Sequence, residues 1–272
     1  MNTSAARSTF EDFAAHFTQH GDTDLNYLRA HYARYLSTQA RLLAHWRPAD
    51  GLRVLDVGAH WLHQALLYAL EGFKVTALDV PATFDRAEVQ ALARAYGIEL
   101  LRNQDLEQPD ALMSIADDTF DLILFTEIIE HLTFNPIAMW RELYRVMRPG
   151  AHIVLTTPNY YGLRRLLRAA ARFLRGDGGS VQVDNLLRQP DFAHHWKEYS
   201  ARELSRYFQA LSPDFTLTHF AYVGKYEPSV THPPLDALLR GVERLLPPLR
   251  PNLYLEIALT QKNSRIAIEP HW

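Results

Sequence analysis

The sequence predicts an α/β fold: a mostly parallel seven-stranded sheet with an antiparallel edge strand, preceded by a helical N-terminal cap. Three observations lead there. Short apolar runs ending in glycine or aspartate alternate with segments of helical spacing, as in VLDVG (Val54 to Gly58) and FKVTALDV (Phe73 to Val80). The run FDLILF (Phe120 to Phe125) is apolar almost throughout, as a strand buried on both faces must be. The last two strand-like segments alternate with period two, and prolines lie between them rather than a regular crossover helix.

Taken in order, Leu25, Leu28, Tyr32, Tyr35, Leu36, Leu42, Leu43 and Trp46 recur at helical spacing, so Thr23 to Trp46 reads as a helix with Thr23 as N-cap. Arg47-Pro48-Ala49-Asp50-Gly51 breaks it, and residues 1–50 form the helical cap. The strand Val54 to Gly58 follows, then a helix carrying Leu62, Leu66, Ala69 and Leu70 and ending at Gly72. The strand Phe73 to Val80, a helix from Arg86 to Tyr96 and a strand from Ile98 to Leu101 come next. After Phe120 to Phe125, a helix from Ile137 to Met147 is stopped by Pro149-Gly150, and His152 to Leu155 is the fifth strand. Phe215 to Val223 and Leu253 to Thr260 complete the sheet. Residues 51–272 form the main domain, with a lid insertion around 160–195 that contains the hinge-like Gly176-Asp177-Gly178-Gly179-Ser180.

The composition narrows the function. The chain has 272 residues, 47% hydrophobic and 22% charged, which suits a globular domain with a substantial core. The 28 basic and 31 acidic side chains leave a net charge of −3, which argues against a surface devoted to neutralising nucleic acid. Without cysteine, thiolate metal sites and cysteine nucleophiles are excluded. The first residues carry no long apolar stretch, and no run approaches a membrane span. A cytoplasmic location is expected, with room for peripheral contact at the inner face of the membrane.

In open α/β sheets ligands bind beyond the carboxyl ends of the strands. Asp56-Val57-Gly58 is the first such end, and its glycine permits a sharp turn and close approach of a ligand. Asp79 ends the second strand at about the 20-residue spacing used to grip ribose hydroxyls, so a nucleoside-bearing cofactor is expected.

VLDVGAHWL, ALDV, DTFDLILFTEIIEHL and LYRVMRPGAHIVLTTPN together resemble the class I S-adenosylmethionine-dependent methyltransferases, a Rossmann-like fold, from about Gly51 to Asn159. The resemblance implies that Asp56, Gly58, Ala59 and His60 line the methionine end of S-adenosylmethionine. It implies that Asp79 holds the ribose, Asp105 and Leu106 flank the adenine, and Thr126 lies beside the methionine portion. The family's glycine-rich loop is reduced here to Gly58-Ala59-His60-Trp61-Leu62, and the loop is expected to take a path that does not need the missing glycines.

Glu127, Glu130 and His131 follow the fourth strand, and on a helical turn they would share one face. Such a set has two chemical uses. His131 can act as general base toward a substrate hydroxyl, or the three can hold a divalent ion (Mg, Mn, Fe or Zn) that acidifies the hydroxyl. A purely structural role is the third reading. Together with the later HHWKEYS, the pattern resembles the small-RNA 3′-end 2′-O-methyltransferases. That resemblance implies Glu127, Glu130, His131 and His195 as ligands gripping a vicinal diol, with Glu198, Tyr199 and Ser200 matching the tail of the motif. Similar segments occur in ubiquinone-pathway O-methyltransferases. His131, His195 and Glu127 are the expected catalytic residues.

Arg164, Arg165, Arg168, Arg172 and Arg175 interleave with leucines and Phe173 in a basic amphipathic helix, which is either a solvated face or a contact for an anionic substrate or membrane surface. Leu235 to Leu246 is a second amphipathic stretch, expected to cover the core. The function expected is O-methylation of a glycan or glycolipid hydroxyl. The alternatives are an RNA 2′-hydroxyl, a quinone-pathway phenol, or a non-catalytic binding subunit of the same fold.

Overall fold

The computed structural model describes residues 9–44, 46, 51–177, 181–190, 193–229 and 231–269. Outside them lie several expectations: the helix break at 47–50, the middle of the hinge at 178–180, the lid residue Phe192, and the first eight residues read for a secretion signal. The chain forms two compact units, one up to Gln104 and one from Asp105 onward. Counted along the chain, the strands of the first unit are ordered third-second-first and those of the second fourth-fifth-seventh-sixth.

In the first unit, α1 (Phe10–Thr18) is a helix that apolar spacing had not disclosed. Thr9 and Asp12 start it, each side chain bonding the other's backbone N–H in a capping box. Helix α2 (Asn26–Leu43) begins later than expected and Thr23 is not its cap. The Asp24 side chain instead accepts the Asn26 N–H at 3.1 Å, after Asp22 has accepted that of Asp24 at 3.1 Å. Phe13 stacks on Tyr32 to join the two helices, and Gln39 of α2 donates to the Leu67 carbonyl at 2.9 Å. Strand β1 (Arg53–Val57), α3 (His63–Leu70), β2 (Lys74–Asp79), the single turn α4 (Pro81–Phe84), α5 (Ala87–Tyr96) and β3 (Glu99–Arg102) follow. The three strands pair in parallel, Val54 opposite Val75 and Ala77 opposite Leu100. Gly72 and Gly97 end the helices before β2 and β3 with φ of 89° and 65°.

The second unit contains the short α6 (Asp110–Met113), β4 (Phe120–Thr126), a 3-10 turn (Ile129–His131), α7 (Ile137–Val146), β5 (Met147–Pro158), α8 (Leu163–Leu174), α9 (Val183–Arg188), α10 (Ala201–Leu211), β6 (Phe215–Val223), α11 (Pro233–Leu245) and β7 (Asn252–Leu259). Pro149-Gly150 does not separate α7 from a later strand. It lies within β5, whose register on β4 shifts between Phe120 and Leu122, so the pair forms a bulge rather than a loop. β7 runs antiparallel to both β5 and the outermost strand β6, with Leu155 opposite Leu255 and Phe220 opposite Leu255. Ile123, Val154, Leu255 and Ile257 are fully buried, as are Trp140 and Leu143 on the inward face of α7.

Helix α11 departs from its expected role as core cover. Its buried side chains are Asp236 and Glu243, while Leu235, Leu238 and Leu245 are 53%, 65% and 82% exposed. The same periodicity serves either orientation, and here the arginine of a neighbouring helix claims the charged side. No described helix is long and apolar enough to cross a membrane.

Candidate active site

At the end of β1 the backbone takes three left-handed steps, with φ of 71° at Gly58, 48° at His60 and 65° at Leu62. The loop therefore keeps a glycine-type path although two of those positions carry side chains. This corrects the expectation of a different route, and it costs roughly 1–2 kcal/mol per non-glycine residue. Compensation is visible. The His60 N–H donates to Asp79 at 2.7 Å, and the Val80 N–H donates to the other carboxylate oxygen of Asp79 at 2.7 Å. Leu62 is fully buried, and the N–H groups of Gly58 and Ala59 share the Leu78 carbonyl at 2.9 and 3.2 Å.

The imidazole of His60 stacks on the Trp61 indole at 4.1 Å, with Tyr27 of α2 at 4.5 Å from His60 and the Arg86 guanidinium 4.4 Å above Trp61. These rings are engaged with one another, and Gly58 and Asp79 both stay partly open to solvent. Burial, then nearby positive charge, lowers the neighbouring imidazoles: His60 to about 4 and His31 to about 4. Both are neutral at pH 7. Asp56 is 2% exposed, and burial followed by the charge of Asp79 pushes its carboxyl up to about 8. One of its oxygens, Oδ2, has no hydrogen-bond partner. Burial also raises Asp79, against the backbone N–H groups that lower it.

This group of residues fits the methionine and ribose ends of S-adenosylmethionine. A buried acidic oxygen without a donor suits an ammonium group, and Asp79, held by the His60 and Val80 N–H groups, is a carboxylate acceptor suited to ribose hydroxyls.

In the second unit, Glu130, His131 and His195 each bring a ligand atom within 4.8 Å of the other two. Glu127 does not join them. The helical turn that would have aligned it covers only Ile129 to His131, and Glu127 stands before it at φ 56°, with its N–H on the Thr156 carbonyl at 2.8 Å. Glu130 is fully buried and accepts the Thr157 hydroxyl proton at 2.9 Å. Its backbone carbonyl receives the N–H groups of Trp196 at 2.8 Å and Lys197 at 3.3 Å, which draws the distal segment to the turn. His131 Nδ1 lies 2.9 Å from the His194 carbonyl. A carbonyl only accepts, so Nδ1 carries the proton and Nε2 is the basic nitrogen of the ring. The ring of His195 meets that of His131 edge-on at 4.9 Å, and burial holds its pKa below 6.5.

The remaining expected residues fall outside this cluster. Thr126 ends β4, half-exposed, opposite Thr156. Asp105 is exposed and accepts the Gln108 N–H at 2.8 Å, with Leu106 half-buried beside it. Ser200 caps α10 in a capping box with Glu203, and Glu198 pairs with Arg165. Sequence reasoning missed Thr157 and the His194 carbonyl as partners of the cluster; the only signal for them was their place next to residues already singled out.

Comparison with known proteins identifies the family and the fold. Residues 27–214 match the family described as a methyltransferase domain. The chain is 29% identical over 178 residues to the ubiquinone biosynthesis O-methyltransferase of Parvibaculum lavamentivorans, covering 65% of this chain and 63% of that protein. A Caulobacter protein of the same name is 28% identical over 168 residues, covering 61% and 60%. The chain thus spans less than two thirds of the length of these relatives. The solved 1,6-didemethyltoxoflavin-N1-methyltransferase of Burkholderia thailandensis, with S-adenosylhomocysteine bound, shares the fold at a TM-score of 0.55 and 15% identity, over 93% of this chain and 87% of that one.

Proposed function

This chain belongs to the methyltransferase-domain family, and from that premise we propose that it moves a methyl group from S-adenosylmethionine to a hydroxyl oxygen with the help of a divalent cation. The convergence of Glu130, His131 and His195 carries the reading. The donor supplies an electrophilic methyl on sulfur, and a divalent cation supplies a Lewis acid that lowers the pKa of a hydroxyl. Gly58, Ala59, His60, Asp56 and Asp79 hold the donor. Glu130, His131 and His195 hold the cation. Glu130 is fixed for that task by the Thr157 hydroxyl, and His131 by its bond to the His194 carbonyl. The protein's part is then alignment of the oxygen in line with the methyl and removal of its proton.

The acceptor we favour is one hydroxyl of a neighbouring pair on a phenol ring. The names of the relatives support a quinone precursor over the glycan or glycolipid diol expected from the sequence. The test is methyl transfer to a catechol after dialysis against EDTA. Activity should fall more than tenfold and return with added Mg²⁺ or Mn²⁺. Full activity in excess chelator would leave His131 as a metal-free base, and a calorimetric titration without S-adenosylmethionine binding would favour the scaffold reading.

Asp56 adds a second expectation. Its value in the folded chain, about 8, lies above the ordinary 3.8, so the stability it contributes is complete below that ordinary value and is lost as pH rises through 8. An ammonium group seated on its unpartnered oxygen would favour the carboxylate. Binding of S-adenosylhomocysteine at pH 7 should therefore release close to one proton (about 0.9), seen as a binding enthalpy that differs between phosphate and Tris buffers. Equal enthalpies in both would separate Asp56 from the ligand.

A further inference from the structure

Helices α8 and α11 are joined with their charges inward. Arg164 of α8 places Nη1 2.8 Å from Asp236 and Nε 2.9 Å from Glu243, both on α11 and both buried. Arg240 at 2.9 Å and Lys225 at 3.4 Å complete the set around Asp236. A charged seam of this kind consumes the acidic residues of α11. What remains outward is apolar and basic. On α8, Leu167, Phe173 and Leu174 are 49%, 81% and 83% exposed, and on α11 Leu238 and Leu245 are 65% and 82% exposed. Helix α8 contains no acidic residue and carries Arg165, Arg168 and Arg172 besides Arg164. At its N-terminal end Tyr160 and Tyr161 are exposed, with the Arg165 guanidinium 4.2 Å over Tyr160.

Large apolar side chains standing in water along two helices, flanked by arginines, suit a surface that is oily within and anionic at its boundary. Tyrosine belongs at such a boundary because one end of the ring is apolar and the other polar. We propose that the outward faces of α8 and α11 dock this protein on an anionic lipid bilayer. The seam between Arg164, Asp236 and Glu243 fixes the two helices so that their leucines and Phe173 enter the acyl boundary while Arg168 and Arg172 meet headgroup phosphates. The proposal goes beyond the methyl-transfer reading and does not depend on it, since its readout is binding alone.

The experiment is co-sedimentation of the full chain with sucrose-loaded vesicles of phosphatidylcholine alone or with one quarter phosphatidylglycerol. The expected result is pelleting with the anionic vesicles, at least tenfold above phosphatidylcholine alone and weakened by salt. The Leu238→Glu/Leu245→Glu variant changes two exposed positions and should lose at least tenfold of this binding with an unchanged circular dichroism melt. Arg168→Glu/Arg172→Glu should lose the preference for phosphatidylglycerol. No binding to either vesicle, or binding unaltered in both variants, would overturn the proposal. So would a dimer seen by sedimentation velocity that Leu238→Glu/Leu245→Glu dissociates, because the face would then be occupied by a second copy.

Discussion

His131→Ala is expected to lower kcat by about 10²- to 10⁴-fold, the range set by losing a positioned acid–base group. The bond from Nδ1 to the His194 carbonyl fixes the tautomer of its ring from behind. The loss should fall on kcat, with the affinity for S-adenosylhomocysteine unchanged, because His131 is not among the residues assigned to the donor. His195→Ala should resemble His131→Ala if the two share an ion, and both should then lose bound metal by elemental analysis. Glu127→Ala should be milder, since Glu127 stands outside the cluster. Normal turnover in His131→Ala would remove the acid–base and metal readings together.

The largest stability effect should come from Trp140→Ala. Trp140 is fully buried, packs against Phe125 at 5.1 Å and Phe208 at 5.2 Å, and donates its indole N–H to the Tyr207 hydroxyl at 2.7 Å. Truncation removes the ring, leaves a cavity and orphans a largely buried hydroxyl, at a cost of about 3–5 kcal/mol. Urea unfolding should show a lower midpoint with little change in slope. Trp140→Phe keeps most of the packing and should cost much less. A midpoint for Trp140→Ala within experimental error of the parent would contradict the packing described.

Periodicity reached the sheet well, because a strand buried on both faces has few other sequences open to it. Phe120 to Phe125 is such a strand where expected, while Phe215 to Val223, the mostly exposed outer strand, was marked by its period-two alternation. Local hydrogen bonding was harder to read. Thr9 and Asp12 start a helix that apolar spacing did not mark, and the Asp22 and Asp24 side chains displaced Thr23 from its expected place. Pro149-Gly150 reads as a stop in one dimension, yet a bulge lets the pair lie within β5. For α11 the spacing was right and the polarity was not, since the inward charges are set by Arg164, which is far away in the sequence. In the cluster, Glu130 and His131 were legible from one segment, and His195 was reachable only by resemblance. Glu127 failed because a residue in the left-handed region cannot belong to the turn that follows it.

The Glu130 carbonyl has one more consequence. Since it receives the Trp196 and Lys197 amides through the main chain, the distance between the two banks of the cluster is set by peptide groups and not by the side chains they present. Donor atoms there can be exchanged one at a time, carboxylate for amide or imidazole for thioether, on a frame that holds its span. Under the proposed cation-holding role, a lineage could retune which ion the cluster takes by single codon changes without first having to rebuild the scaffold.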